Sequence, residues 1–544
     1  MTGAPDPADE DVQDTMRIAL HHGYELTGSG SNEYNRYLAR ALARAGHEVH
    51  VLCREPAPDR IDVVRAAWKW SATGKGEEQF TREVESGYTV HQLPDGAVRP
   101  VYLTDKQRDG VVKAFTQLTD EELAEYHALN VTAVRAVVDA VKPDILMANH
   151  LVWQPSVAAE TGVPFVVFPH GSAIEYTVRA DPRYEEAAGR ALERASGIIS
   201  GSREVLDRIL ALYPARGFER KTTIVGVGVD TKLFAPVARA DRPASIARLR
   251  GPFHGKTAAQ SRALRASLDA GDFDSVRAYF GAYDQKSPDA DLLATLARVP
   301  WVDGRVLLFV GALTAGKGLQ SVIAALPRVL AHRPDTHLLV VGSGAYREAL
   351  EALVHAIATG NQALFDHLCQ HGFTLDRSDL TGGWRDVGGD VPHAPLIADR
   401  VHFLGRLDHA LLRHVFPCAD LAVFPSVVAE AYPLVLMEAL ANGVLPVVSD
   451  FTGFRDGLDR IEPLLGSSWV DRMRLPIEPA HRVEGIAGRL VALLADESLP
   501  SIGPRLREVA VTHFDWSVRA DQIVAAYRDF LARNRDRNAS TASM

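Results

Sequence analysis

Short apolar runs alternate with helix-period segments along nearly the whole chain. Val, Ile, Leu and Phe concentrate at 16–20, 48–52, 89–93, 144–148, 164–168, 197–200 and 222–225, and again at 306–310, 337–341, 401–404, 421–424 and 445–448. These runs lack the apolar–polar alternation of a strand with one wet face. They predict strands buried on both faces, as in parallel sheets. Between them, apolar positions recur with the period of a helix. One stripe is Tyr34, Tyr37, Leu38, Ala41, Leu42 and Ala45, with Ser31 as the expected cap and Gly46 as the stop. Such alternation predicts an α/β protein of two doubly wound domains.

Three segments interrupt the rhythm and read as insertions. The first, 54–119, contains Trp68, Trp70 and a Gly-Lys-Gly turn at 74–76. The second, 240–299, is helical around 258–268 and 273–283. The third, 352–398, continues a helix and then becomes a loop with Thr381-Gly382-Gly383-Trp384 and Gly388-Gly389. Trp68 and Trp70 suit core packing, or stacking on a sugar ring or a lipid surface. A final helical stretch, 518–531, puts Ile523, Val524, Tyr527 and Leu531 on one face. The acidic residues 1–15 and the polar residues 533–544 are expected to be disordered tails.

A chain of 544 residues exceeds one ordinary core, which supports two domains plus insertions. The formal charge of −10 argues against a nucleic-acid partner, though not against a local basic patch at a membrane. Three cysteines, Cys53, Cys369 and Cys418, lack metal-ligand spacing and cannot all pair, which favours a reducing compartment. The first residues lack the basic start and apolar core of a signal peptide, and no run reaches the ~18 apolar residues of a membrane span. The expectation is a cytoplasmic protein whose membrane contact, if it has any, is peripheral.

The chemistry concentrates at strand ends. Glu430-Ala431-Tyr432-Pro433-Leu434-Val435-Leu436-Met437-Glu438 follows the strand at 421–424 and is read as the opening of a helix. A helix N-terminus offers unpaired N–H groups and partial positive charge to a phosphate. Carboxylates there repel phosphate and suit hydroxyl-rich groups on either side of it. A nucleotide-sugar has that layout: ribose, diphosphate, sugar. In the first half, the loop from His21 to Gly30 follows the first strand, and Gly28 and Gly30 permit close backbone approach to a ligand. Gly28-x-Gly30 lacks the third glycine of a dinucleotide fingerprint, because position 33 is Glu33. A plain surface turn is the alternative. His170 closes another strand, where open α/β sheets place ligands, and His150 is its rival at a second strand end.

The Glu-x7-Glu spacing of Glu430 and Glu438 resembles the motif of retaining glycosyltransferases with the GT-B fold, family 4 in particular. The resemblance extends over roughly residues 16–531, apart from the three insertions. It implies two Rossmann-like domains facing a central cleft, with helical insertions. The first (16–235) would meet the acceptor. After the insertion at 240–300, the second (301–515) would bind the donor. Gly226-Val227-Gly228-Val229-Asp230-Thr231-Lys232-Leu233-Phe234 resembles the family's exit from the first domain, and a helix at 516–532 would return to that domain.

The resemblance also implies roles. The loop with Gly28 and Gly30 would reach toward sugar and diphosphate, and His170 would hydrogen-bond the transferred sugar. Gly311-Ala312-Leu313-Thr314-Ala315-Gly316-Lys317-Gly318 resembles the family's Gly-Arg-x-x-x-x-Lys-Gly, so Lys317 would neutralise the donor diphosphate and stabilise growing charge. Ala312 departs from the pattern where an Arg is usual, and Arg406 is a candidate replacement. Gly405-Arg406-Leu407 would line the nucleobase edge, and Gly342-Ser343-Gly344 resembles the family's Gly-x-Gly turn. Glu430 would face the sugar. Amides near Tyr432, Leu434 and Val435 would meet sugar and phosphate, with Pro433 lacking an N–H, and Glu438 would hold the ribose hydroxyls. The activity implied is sugar transfer from a UDP- or GDP-type donor to an unidentified hydroxyl acceptor. No Asp-x-Asp stands in a donor-binding context, so no cofactor or essential metal is expected. A GT-B phosphorylase or epimerase, or a degenerate binding subunit, is the alternative.

Overall fold

The computed structural model describes residues 15–102, 112–278, 287–371 and 387–542. The chain divides into two compact units, one of residues 1–228 with 516–544 and the other of residues 229–515. The exit segment 229–235, placed with the first domain on sequence, therefore packs with the second. Val229 and Thr231 are tied there to Phe514 and Asp515.

The first unit is built on strands Arg17–His21 (β1), Glu48–Cys53 (β2), Val64–Trp70 (β3), Gly76–Thr81 (β4), Tyr88–Gln92 (β5), Ile145–Asn149 (β8), Phe165–Phe168 (β9), Gly197–Ser200 (β10) and Thr222–Ile224 (β11). A separate parallel pair, Arg99–Val101 (β6) and Val112–Ala114 (β7), stands apart from them. The sheet order is β11-β10-β9-β8-β1-β2-β5-β3-β4, parallel except for the β3–β4 hairpin. The segment 54–119, expected as an insertion, thus extends the sheet. The Gly-Lys-Gly turn closes its hairpin, with Ser71 N donating to Lys75 O. Trp70 is buried and donates Nε1–H to His91 Nδ1 at 3.1 Å, whereas Trp68 is half-buried.

Helix Gly30–Arg44 covers this sheet. Its cap is Ser29 rather than Ser31: the Ser29 hydroxyl accepts from Asn32 N at 3.3 Å, and Ser31 lies inside the helix. The C-terminal helix runs from Trp516 to Ala542, so residues 533–542, expected as tail, continue it. Its Trp516 ring meets Tyr34 at 5.4 Å, and Phe530 lies so close to Gly197 that a Cβ there would stand 2.4 Å from the ring.

The second unit carries a fully parallel sheet of Arg305–Val310 (β12), Thr336–Val341 (β13), Val401–Gly405 (β14), Leu421–Phe424 (β15), Leu445–Ser449 (β16) and Arg474–Leu475 (β17), in the order β14-β13-β12-β15-β16-β17. The helical insertion belongs to this unit. Helix Ala258–Asp269 begins at a Thr257 capping box, and a buried ion network fixes the segment: Lys256 reaches Glu348 and Glu351, both at 3.0 Å, while Arg347 reaches Asp289 at 2.7 Å. The expected helix at 273–283 is seen as Ser275–Ala278, and its remainder lies outside the described residues, as does Thr381-Gly382-Gly383-Trp384. Among the described residues no helix is long and apolar enough to cross a membrane.

In each sheet the strand order reverses at a central pair of strands, β1 and β8 in the first and β12 and β15 in the second. Loops leaving the carboxyl ends of such neighbours diverge and open a crevice, which is where open α/β sheets bind ligands. His21–Gly30 and His150 follow β1 and β8. Lys317 and Glu430 follow β12 and β15.

Candidate active site

In the second unit, close-packed backbone holds the two loops. Gly318 caps helix Leu319–His332 in the left-handed region (φ 71°), and a Cβ there would lie 1.9 Å from the carbonyl oxygen of Pro425. Only glycine fits both demands. Lys317 is thereby brought onto Glu430: Nζ contacts Oε1, an oxygen that also accepts from Ser426 Oγ at 2.6 Å. Glu430 N donates to Thr452 Oγ1 at 3.0 Å, and Gly453 N donates to Glu430 O at 2.9 Å. Thr452 holds φ 47°, an outlier for a β-branched residue. Strain of this kind, roughly 1–3 kcal/mol, persists only where neighbours enforce it. Burial alone would raise the Glu430 carboxyl, but Lys317 and the Ser426 hydroxyl outweigh it and hold it below its usual range.

Glu430 and Glu438 do not share the helix opening, contrary to the sequence expectation. The helix is Leu434–Ala441 with Pro433 as N-cap. Glu430 sits in the loop before it, and Glu438 is in its second turn, buried at 5% exposure. Glu438 Oε1 lies 3.2 Å from His409 Nε2, and His409 packs edge-on against Phe234 at 5.2 Å. The first helical amides, at Leu434 and Val435, have no carbonyl one turn back to receive them. Tyr432 is half-buried beside them.

Gly311 lies under Gly342, where a Cβ would come within 1.8 Å of the Gly311 carbonyl oxygen, so the β12 and β13 loops touch. Ala312 is exposed. Arg406 is half-buried, its amide bonded to Ser287 O at 3.1 Å, and Leu407 is buried. Among the described residues no ion pair joins Arg406 to Glu430.

The first unit assembles a different kind of site. Gly28 takes φ 107°, and Gly30 begins the helix that follows. Asn35 Nδ2 donates to His22 Nδ1 at 3.1 Å, which leaves Nε2–H of His22 to donate to Asn32 Oδ1 at 2.9 Å. The Asn149 carboxamide oxygen accepts from His170 Nε2 at 3.1 Å, so neutral His170 keeps Nδ1 as an acceptor. Burial pushes the His170 pKa down to about 3 and that of His22 to about 4. His150, the rival, is not an alternative to His170 but its neighbour, with ring centres 4.4 Å apart. His150 is 1% exposed, takes φ 67° and has no hydrogen-bond partner on either ring nitrogen. It also packs against His22 at 5.3 Å and Tyr24 at 5.2 Å.

Sequence reasoning passed over Ser426, Thr452, His409 and Asn149. Ser426 lies four residues before Glu430 and His409 opens the helix His409–Val415, but their contacts with Glu430 and Glu438 are tertiary. Nothing local marks Thr452.

Residues 29–228 match the family model of the glycosyl transferase 4-like domain, and residues 299–367 and 393–460 match that of glycosyl transferases group 1. The phosphatidyl-myo-inositol mannosyltransferase of Mycolicibacterium smegmatis is 27% identical over 281 residues, 51% of this chain and 58% of that relative. The chain thus matches little more than half the length of the curated mannosyltransferases. The glycogen synthase of Mycobacterium tuberculosis is 28% identical over 232 residues, 42% of this chain and 44% of its own. Among solved structures, sucrose-phosphate synthase from Thermosynechococcus elongatus superposes with a TM-score of 0.56 at 21% identity, covering 95% of this chain and 99% of that one. Anabaena HepE in complex with UDP-glucose gives 0.53 at 15% identity, covering 94% and 100%. The class defined by fold and family is glycosyltransferase, an enzyme of GT-B type. The chain belongs to the family 4, group 1 GT-B glycosyltransferases.

Proposed function

We propose that the protein is a retaining glycosyltransferase that moves a sugar from a UDP- or GDP-type nucleoside diphosphate sugar to a hydroxyl acceptor. The observation that carries this reading is the Lys317–Glu430 pair at the β12/β15 reversal, beside the first amides of helix Leu434–Ala441. In this reading Lys317 turns to the diphosphate when donor binds. Glu430, freed from Lys317, meets the sugar, and Glu438, steadied by His409, takes the ribose hydroxyls. Gly311, Arg406 and Leu407 line the nucleotide. In the first unit, Gly28 and Gly30 let backbone approach a ligand, and the His170 acceptor nitrogen is suited to a sugar hydroxyl.

The glycosidic C–O bond to the diphosphate breaks, and the acceptor oxygen bonds the anomeric carbon from the same face. The departing phosphate takes the acceptor proton. Lys317 and the helix amides stabilise the charge growing on that phosphate. No metal takes part in this scheme. HepE was solved with UDP-glucose, which supports a nucleotide-sugar donor. The name of the mannosyltransferase relatives makes a glycolipid acceptor, met peripherally at a membrane surface, the first to try.

The test is to incubate enzyme with a panel of UDP- and GDP-sugars and candidate acceptors, then read the anomeric configuration of the product by NMR. The expected product keeps the donor's configuration, and its formation is lost in Lys317→Ala. An inverted product would overturn the mechanism. Ala312→Arg adds a cation at an exposed position, and a lower rate is expected if the site is built around alanine.

A further inference from the structure

A second cavity, of about 770 Å3, lies within the second unit at the other end of its sheet. Arg305 opens β12, Asp420 directly precedes β15 and Leu445 opens β16, and all three line it. Lys317 and Glu430 follow the carboxyl ends of the same strands. Parallel strands rise about 3.3 Å per residue, so the length of the sheet separates the two places. The volume falls in the range of small-molecule sites.

Charge on the cavity wall does not balance. Asp420 accepts from Arg239 and from both terminal nitrogens of Arg242, at 3.1 and 3.4 Å, as well as from Val306 N at 2.8 Å. Its lone pairs are used up on two guanidiniums and an amide. Arg507 donates only to carbonyl oxygens there, those of Thr231, Phe234 and Ala441. Arg305 Nε is buried without a hydrogen-bond partner. The same is true of Nε of Arg242, a residue 6% exposed. Of the other acids on the wall, Asp496 is held by Arg472 and Glu497 is exposed. Asp335 acts on Arg305 and Asp515 on Arg507 from outside the wall, so the compensation is partial, with Asp420 the one buried carboxylate among four guanidiniums that line the cavity. Burial, together with repulsion from Arg242, Arg305 and Arg333, lowers the Arg239 pKa, which fits an excess of positive potential. Arg239, Arg305 and Arg507 are half-buried, and Arg239 Nη1 also donates to Val302 O and Gly304 O at 3.2 and 3.0 Å, but carbonyls carry no net charge, so an anion would relieve the remaining excess. The remaining wall is mainly apolar, with Val237, Val444, Leu445 and Leu499, and carries one buried amide, Asn442.

We propose that this cavity binds a small organic phosphate, its phosphate taken by Arg305 and Arg239 and its apolar body lying against Val444, Leu445 and Leu499. A phosphate dianion offsets more of the excess charge than a carboxylate and matches the forked geometry of two guanidiniums. The site is distinct from the donor site and does not depend on the reading given for it.

The experiment is calorimetric titration with phenyl phosphate, inorganic phosphate and benzyl alcohol in a Lys317→Ala background, which suppresses phosphate binding at the donor loops. Saturable binding of phenyl phosphate is expected, roughly tenfold tighter than inorganic phosphate, with none for benzyl alcohol. Arg305→Ala should weaken it about tenfold, and Arg305→Lys should retain part of it. Leu499→Asn, which makes the apolar wall polar without adding charge, should weaken phenyl phosphate without a loss for inorganic phosphate. This second variant decides the matter if Arg305→Ala melts early. Absence of saturable binding at millimolar ligand, or binding unchanged in Arg305→Ala and Leu499→Asn, would overturn the proposal.

Discussion

The two strand-order reversals are built from the same topology and hold opposite chemistry. At β12/β15 the loops carry charge: a lysine on a carboxylate, with a serine hydroxyl and threonine-held backbone behind. At β1/β8 they carry neutral imidazoles packed ring to ring. The difference is one of solvation. Glu430 remains charged because Lys317 and the Ser426 hydroxyl outweigh its burial, and a bound diphosphate can exchange for one partner of the pair. The imidazoles have no carboxylate in their cluster, so burial strips their protons and leaves hydrogen-bonding groups without charge. One region is suited to phosphate and the other to hydroxyl groups.

Several changes would break or sharpen this contrast. The largest effect is expected from Lys317→Ala. It should lower kcat/KM by about 10²–10³-fold, the usual cost of losing a preorganised donor to developing charge. Steady-state kinetics with saturating acceptor would check it. Next comes His170→Ala, which removes one hydrogen bond to substrate and should cost roughly 10–100-fold. Because the His170 pKa lies at about 3, the wild-type rate should show no His170 inflection between pH 6 and 8. An inflection near 6.5 that vanishes in His170→Ala would contradict a neutral role.

Stability should follow the contrast too. Imidazoles with lowered pKa bind fewer protons folded than unfolded, so stability is fully present above about pH 6.5 and falls as pH drops below it. Urea midpoints between pH 7 and 4 would show the decline, and His150→Phe should flatten it. The Glu430 carboxyl works at lower pH. Its depressed pKa stabilises the fold above the usual 4.5 and loses that contribution as pH falls through the lower folded value. Glu430→Gln should remove only this last, smallest component.

What the sequence discloses follows from how each feature is encoded. Strands buried on both faces write continuous apolar runs, so the runs at 306–310 and 421–424 fall on β12 and β15. The β3–β4 hairpin escapes because Glu77, Glu78 and Gln79 leave β4 exposed at the sheet edge, with no apolar run to find. Lys317 and Glu430 stand in recognisable motifs, but their ion pair depends on Gly318 fitting under Pro425, a tertiary fact. The imidazole cluster was legible only in part. His170 ends a strand visibly, whereas the strained His150 and its pairing with His170 come from the β8–β9 neighbourhood. Glu430 falls outside the helix because Pro433 caps it, a start that the stretch 430–438 does not disclose.

The most direct test of the central claim, that the β12/β15 loops hold the donor's nucleoside diphosphate, is thermal stabilisation by UDP, GDP and their sugars. At about 100 times its dissociation constant, a true ligand should add ~2.7 kcal/mol to the folded state. The account predicts a clear shift with one base, weakened in Glu438→Ala and in Lys317→Ala. A shift of equal size in wild type and both variants would place the nucleotide elsewhere and contradict it.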